Sequence, residues 1–248
     1  MHVWIPTWLG ETYSRLYMRF KSELFTFQEA KDFLSFNENK LAVAFSKLHS
    51  HRILLVFEAG RPRSYRLLDP ESFILLASGA IQNVKRIVQE RYVKLLCDSF
   101  GFLSKSFDLS SFAVYGTVAR GTAKRNSDVD ILLVSNDFVG SMGSRIEGLF
   151  GIEELLKAEL AWLRKHDVYT SLSFYPLREE EAERIPMIFL DLTEDAAIFY
   201  DVNQFLERIL ADLKARLLKL GAKRIFISKE NWYWNLKPDY KFGEAIPI

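Results

Sequence analysis

Two aspartates, Asp128 and Asp130, stand one residue apart, and ten residues before them the chain reads Gly116-Thr117. The segment 128–134, Asp-Val-Asp-Ile-Leu-Leu-Val, has the apolar run of a buried strand. On a strand, residues i and i+2 point to the same side, so the two carboxylates are presented together. Such a pair repels unless a hard dication neutralises it. Mg²⁺ (or Mn²⁺) suits the task, because it takes carboxylate oxygens along with the phosphate oxygens of a substrate. Gly116 lets a triphosphate approach the backbone, and Thr117 offers a hydroxyl and an N–H at a helix start. Arg120, Lys124 and Arg125 fall in the interval and offset negative charge. The chemistry these residue types support is phosphoryl-type transfer from a nucleotide. The plain alternative is that Ser127-Asp128-Val129-Asp130 caps a strand and Gly116 makes an ordinary tight turn.

The elements around these residues alternate. An apolar strand over 112–115 runs into Gly116-Thr117, and the aspartates open a second strand. Helical periodicity over 146–163 leads to a strand-like 169–175. A charged helical turn over 178–184 precedes Pro186, and 196–201 is again strand-like. A helix over 203–220 is stopped by Gly221 before a last strand over 223–228. This half of the chain reads as mixed α/β.

The run Tyr115-Gly-Thr-Val-Ala-Arg-Gly121, followed by Ser127-Asp-Val-Asp130, resembles the DNA polymerase β-like nucleotidyltransferase superfamily, especially its minimal nucleotidyltransferase branch. The resemblance is tight over 112–134 and looser to about residue 201. It implies a mixed sheet flanked by helices, an NTP substrate and a divalent cation. It also implies Asp128 and Asp130 as catalytic metal ligands, and Gly116, Thr117, Arg120 and Ser127 as the nucleotide-binding set. Thr117 replaces the family's serine and keeps the hydroxyl. The family's third acid lies on a later strand, and here that position falls on Ser171 or Ser173. Asp167, Glu179 and Glu180 are the carboxylates nearby in sequence.

The first hundred residues are organised differently. Apolar positions predict a helix over 10–20, a second capped by Thr26 and a third over about 38–50 capped by Asn37. A strand over 52–58, a turn over 59–63 and a returning strand over 64–68 follow. Three helices and a hairpin are the order of a winged helix-turn-helix. In that reading Lys40 and Lys47 face a DNA major groove, and Arg61, Arg63 and Arg66 form the wing. A homodimer is the expected binding form. The alternative is a small packed domain with arginines solvated at a loop tip. The expected division is a winged helix over 1–69, a helical connector over 70–104 and a nucleotidyltransferase domain over 105–248, an α+β/α-β two-domain chain.

Composition narrows the setting. The 248 residues are 49% apolar and 26% charged, with a formal net charge of +1, so nucleic-acid binding must come from local clusters. Cys97 is the single cysteine, which excludes an intrachain disulfide and a multi-cysteine zinc site. No apolar stretch is long enough to span a membrane, and residues 1–10 lack a signal-peptide pattern, so a cytoplasmic protein is expected. His2, His49, His51 and His166 lack metal-ligand spacing and read as surface or core histidines. Trp232-Tyr-Trp234 with Lys237 and Lys241 offers either a base-stacking platform or a tail held to the core by its aromatics. Two functions are left open. One is Mg²⁺-dependent transfer of a nucleoside monophosphate to a hydroxyl of a protein, a small molecule or a nucleic-acid end. The other is a DNA-binding regulator or antitoxin-like protein with a degenerate nucleotide-binding domain.

Overall fold

A computed structural model describes residues 5–228 and 231–240. The N-terminal part contains helices α1 (Thr7–Phe20), α2 (Phe27–Leu34) and α3 (Glu38–Ser50) and strands β1 (Phe25–Thr26), β2 (Leu54–Glu58) and β3 (Ser64–Leu67). Local chemistry sets the helix starts. The Thr26 hydroxyl accepts from the Glu29 N–H while the Glu29 carboxylate accepts from the Thr26 N–H, and Asn37 Oδ1 accepts from the Lys40 N–H at 2.8 Å. Strands β2 and β3 pair antiparallel, with β1 on the other side of β3. The predicted order of three helices and a hairpin is therefore present. Strand β2 begins later than expected because Arg52 has φ 59°, which breaks extended backbone.

The expected connector helix is interrupted. Asp69 caps α4 (Pro70–Ala77), with Pro70 at its first turn. Two short 3₁₀ turns, Val84–Arg86 and Glu90–Tyr92, then lead into α5 (Val93–Ser106). Cys97 of α5 is wholly buried, and burial pushes its thiol pKa up.

The remainder is a four-stranded sheet, order β6-β5-β4-β7, built from β4 (Ser111–Tyr115), β5 (Val129–Val134), β6 (Leu172–Leu177) and β7 (Ala197–Asp201). Strands β5 and β6 run parallel and the other pairs antiparallel, giving a mixed sheet. Short helix α6 (Gly116–Arg120) links β4 towards β5; α7 (Met142–Leu155) and α8 (Lys157–Lys165) cross from β5 to β6. The single helix expected over 146–163 thus divides around Leu156. Helices α9 (Glu179–Glu183), α10 (Phe189–Asp195) and α11 (Phe205–Lys219) follow, with a terminal hairpin of β8 (Lys223–Phe226) and β9 (Trp232–Asn235).

Period-two alternation divides the core. Phe112, Val114, Ile131 and Leu133 pack with Leu96 and Phe100 of α5, while Ala113, Leu132 and Val134 face Leu206, Leu210 and Leu213 of α11. The same rule joins the two halves of the chain. Leu54 of β2 belongs to the N-terminal core with Leu16 and Leu48, whereas its neighbours Leu55 and Phe57 belong to the core that reaches the main sheet.

Candidate active site

Antiparallel pairing of β4 with β5 sets Tyr115 opposite Asp130, so the chain leaves β4 directly above that carboxylate. Gly116 makes the turn with φ 69°, and a Cβ built there would lie 2.1 Å from Asp130 Oδ2. Only glycine fits, on steric and on backbone grounds. Gly121 ends α6 with φ 73°. The loop returning to β5 is fastened from the connector, because the Gln89 amide exchanges hydrogen bonds of 3.0 and 2.8 Å with the backbone of Ala123. Tyr92 adds a hydrogen bond from its hydroxyl to Lys124 O at 3.0 Å, and Ser127 Oγ accepts from the Lys124 N–H at 2.9 Å. Ser127 therefore shapes the turn that presents Asp128.

Parallel pairing of β5 with β6 brings two serines alongside the aspartates. Ser173 is the register partner of Asp130, and Ser171 Oγ donates to Asp128 Oδ1 at 2.6 Å. Asp130 is half-buried. Burial raises its carboxyl pKa, and the Asp128 charge adds to the effect, while the Ser173 hydrogen bond and Arg120 oppose it. Burial and the Asp130 charge likewise push the Tyr115 phenol upward. Burial and the Asp128 charge both disfavour the ionised Asp130 carboxylate, and a bound cation would relieve that cost. The pair accordingly fits the hard dication expected from the resemblance.

A third carboxylate does not join them: among the described residues no group of three His, Cys, Asp or Glu side chains is placed to hold a metal. Glu179 follows β6 at the far end of the strands, where it accepts from Ser110 and, at 3.0 Å, from Asn136. Leu177 pairs with Val134 four positions beyond the Asp130–Ser173 pair, about 13 Å along the strand. Glu180 pairs with Arg178. Asp167 precedes β6 in left-handed backbone, φ 60°.

The cations between the motif halves are already engaged. Arg120 Nη1 lies 3.2 Å from Asp195 Oδ2, and its guanidinium sits 4.6 Å from the Trp232 ring. Arg125 pairs with Glu58 at 2.5 Å and donates to His166 O at 3.1 Å, tying the loop between α6 and β5 to the N-terminal hairpin. Around Arg120 lies a cluster that the sequence did not disclose. Arg224 bonds Asp191 and Asp195, while Trp232 Nε1 and Trp234 Nε1 each donate to Asp191 Oδ1 at 2.9 Å. The aromatic segment is thus held to the body of the protein; Lys241 and His2 lie outside the described residues.

In the N-terminal hairpin, Arg61 and Arg63 are exposed at the turn, and Lys40 and Lys47 are exposed on α3, Lys40 with its ammonium 4.1 Å from the Phe36 ring. Arg66 corrects the expected wing. It is 2% exposed, forks onto Glu159 of α8 at 2.5 and 2.7 Å, donates to Ser22 O and lies 3.4 Å over the Trp162 ring. The strand turns this residue inward, where a buried carboxylate from the other half of the chain neutralises it.

Residues 93–203 match the family model described as the nucleotidyltransferase domain. The match begins at the first residue of α5 and ends just after β7, so it takes in the whole mixed sheet and the Gly116/Asp128/Asp130 site. It supports placing this part of the chain in the nucleotidyltransferase superfamily, and the mixed sheet flanked by helices fits such a domain. A search of curated proteins finds no match. A solved structure described as "Crystal structure of the toxin-antitoxin with AMP-PNP" is similar at 17% identity over 56% of this chain and 94% of that one, with a TM-score of 0.29. A likeness at that score defines neither fold nor function. Among the described residues, no helix is long and apolar enough to cross a membrane.

Proposed function

We propose that the chain is a divalent-metal-dependent nucleotidyltransferase, transferring a nucleoside monophosphate from an NTP to an acceptor hydroxyl with release of pyrophosphate. The observation that carries this reading is Gly116 seated without clearance for a side chain over Asp130, with Asp128 two residues earlier, just before β5 begins. Asp128 and Asp130 are the residues to hold Mg²⁺ or Mn²⁺, which when bound supplies neutralising charge to the triphosphate. The Gly116 turn gives the phosphates access to the backbone, and Thr117 offers them its hydroxyl. Arg120, steadied by Asp195, contributes positive charge at the edge of the site. The acceptor hydroxyl belongs to a protein side chain, a small molecule or a nucleic-acid end. An assay of α-labelled NTP with the host extract tests the reading. Label should enter a product only with Mg²⁺ or Mn²⁺, and not with Asp128→Ala/Asp130→Ala; absence of metal-dependent labelling would overturn it.

A second reading is favoured by the hydroxyls of Ser171 and Ser173 standing where a third acid is expected. In it the domain binds metal and nucleotide without turnover, as a regulator or antitoxin-like protein. Its N-terminal part is a winged helix that contacts duplex DNA, as a homodimer, through Lys40, Lys47, Arg61 and Arg63. Titration with duplex DNA at two salt concentrations distinguishes it. Affinity should fall with salt and with Arg61→Ala/Arg63→Ala, because each neutralised phosphate releases counterion; binding indifferent to both would dismiss the DNA contact.

A further inference from the structure

A cavity of about 380 Å³ opens beyond the C-terminal end of α3, remote in sequence from the aspartate pair. Its floor is Leu76, Ile81 and Val84, and its polar wall includes His51, Arg52, Lys85 and Arg86. No carboxylate lines it. Arg52 is neutralised by Glu90, which also accepts from the Val56 N–H at 2.7 Å. Lys85, Arg86 and the nearby Lys47 have no ion-pair partner among the described residues. The wall is also preorganised. The turn carrying Lys85 and Arg86 is flanked by buried Ile81 and Ile87, and it is laced to the edge strand β7. Gln82 N–H donates to Phe199 O at 2.7 Å, and Asn83 Nδ2 donates to Ile198 O at 2.8 Å. Arg86 also borders an adjoining cavity with Asp201 and Glu207, neither of which is among its ion-pair partners in the described residues; Asp201 accepts from the Ser111 hydroxyl and the N–H groups of Leu206 and Glu207.

Cations of one sign gathered along a cleft with an apolar floor focus a positive field at its mouth. The His51 imidazole registers that field: burial lowers its pKa, and the Lys85 and Lys47 charges lower it further. A second cavity of about 420 Å³ makes the contrast. There Arg66 and Lys94 are spent on Glu159, Asp69 and Asp98, leaving no cation to receive an anion.

We propose that the cavity walled by His51, Lys85 and Arg86, whose lining shares no residue with the Gly116/Asp130 site, is a binding site for a phosphate-bearing anion. The volume lies in the range of small-ligand pockets, and basic side chains carried on a held turn with neighbouring amide groups are the chemistry that recognises phosphate. Two sources carry that chemistry, a free nucleotide or the backbone of a polynucleotide. The inference is independent of the transferase reading.

The test uses the full chain bearing Asp128→Ala/Asp130→Ala, in EDTA, so that the first site is silent. The His51 imidazole resonances are followed by NMR during titration with ATP, with inorganic pyrophosphate and with a short DNA duplex. Saturable shifts are expected with at least one of them, and Lys85→Ala/Arg86→Ala should weaken that binding about tenfold or more. Both residues are exposed, so an unchanged Tm in that variant certifies the fold. Response to ATP or pyrophosphate alone assigns a small-molecule source, and response to the duplex assigns a polynucleotide. No response from His51 to any of the three, or affinity unchanged by the double substitution, would overturn the proposal.

Discussion

Arg66 and Glu159 lie 93 positions apart in the chain and meet in a two-bond fork, with side chains 2% and 6% exposed. The pair joins β3 of the N-terminal sheet to α8 of the α/β half. Removing one partner strands a buried charge, so Arg66→Met should destabilise the protein by about 3–5 kcal/mol, whereas Arg66→Met/Glu159→Met should recover most of the loss. Urea denaturation of the three proteins checks this. A near-neutral single substitution would contradict the buried fork.

Gly116→Ala should damage the site far more than the fold. The new methyl would press on Asp130 Oδ2, at 2.1 Å, from a backbone with φ 69°. The backbone strain alone costs about 1–2 kcal/mol, a Tm loss of a few degrees. Metal-dependent nucleotide affinity should fall about tenfold or more, because Asp130 must move. Calorimetry showing intact affinity would contradict the close approach.

Placing a carboxylate on β6 addresses the missing acid. Ser171→Asp or Ser173→Asp should increase metal-dependent transfer, by about tenfold or more in whichever position faces the metal, since a positioned base contributes about 10²–10⁴. If the native protein binds without turnover, transfer should appear only in the variant. Failure of both substitutions to raise it would contradict assigning these serines to the third-acid position.

Asp98 gives stability a pH signature. Burial, with the Glu159 and Asp69 charges, pushes its carboxyl up to about 6 from the ordinary 3.8, against the pull of Lys94. Between those values the folded protein holds a proton that the unfolded chain releases. The stabilisation is fully present below about pH 4 and is lost as pH rises through 6. The stability of the native protein relative to Asp98→Asn should therefore decline from about pH 4 to pH 6 and level off above. Denaturation at several pH values reads the slope; a flat difference, or one rising with pH, would contradict the assignment.

The local patterns were legible. Apolar runs located β4 and β5, side-chain caps located α2 and α3, and the spacing from Gly116 to Asp130 pointed to a turn above the carboxylate pair. What escaped the sequence depended on distant partners. Arg66 reads as a solvated wing residue until Glu159 reaches it, and the roles of Trp232 and Trp234 are set by Asp191 some forty positions earlier. A backbone reversal also hid one strand start, since left-handed Arg52 delays β2. By sequence the family's third-acid position falls on Ser171 or Ser173, but the hydrogen bond from Ser171 to Asp128 required the parallel register of β5 and β6.

The central claim is that Asp128 and Asp130 hold a divalent cation with nucleotide under the Gly116 turn. Isothermal titration of the native protein and of Asp128→Ala/Asp130→Ala with an NTP, in Mg²⁺ or in EDTA, tests it most directly. The native protein should bind NTP far more tightly with Mg²⁺ than without, and the double variant should lose the Mg²⁺-dependent component while retaining its fold. Equal Mg²⁺-dependent binding by both proteins would contradict the account.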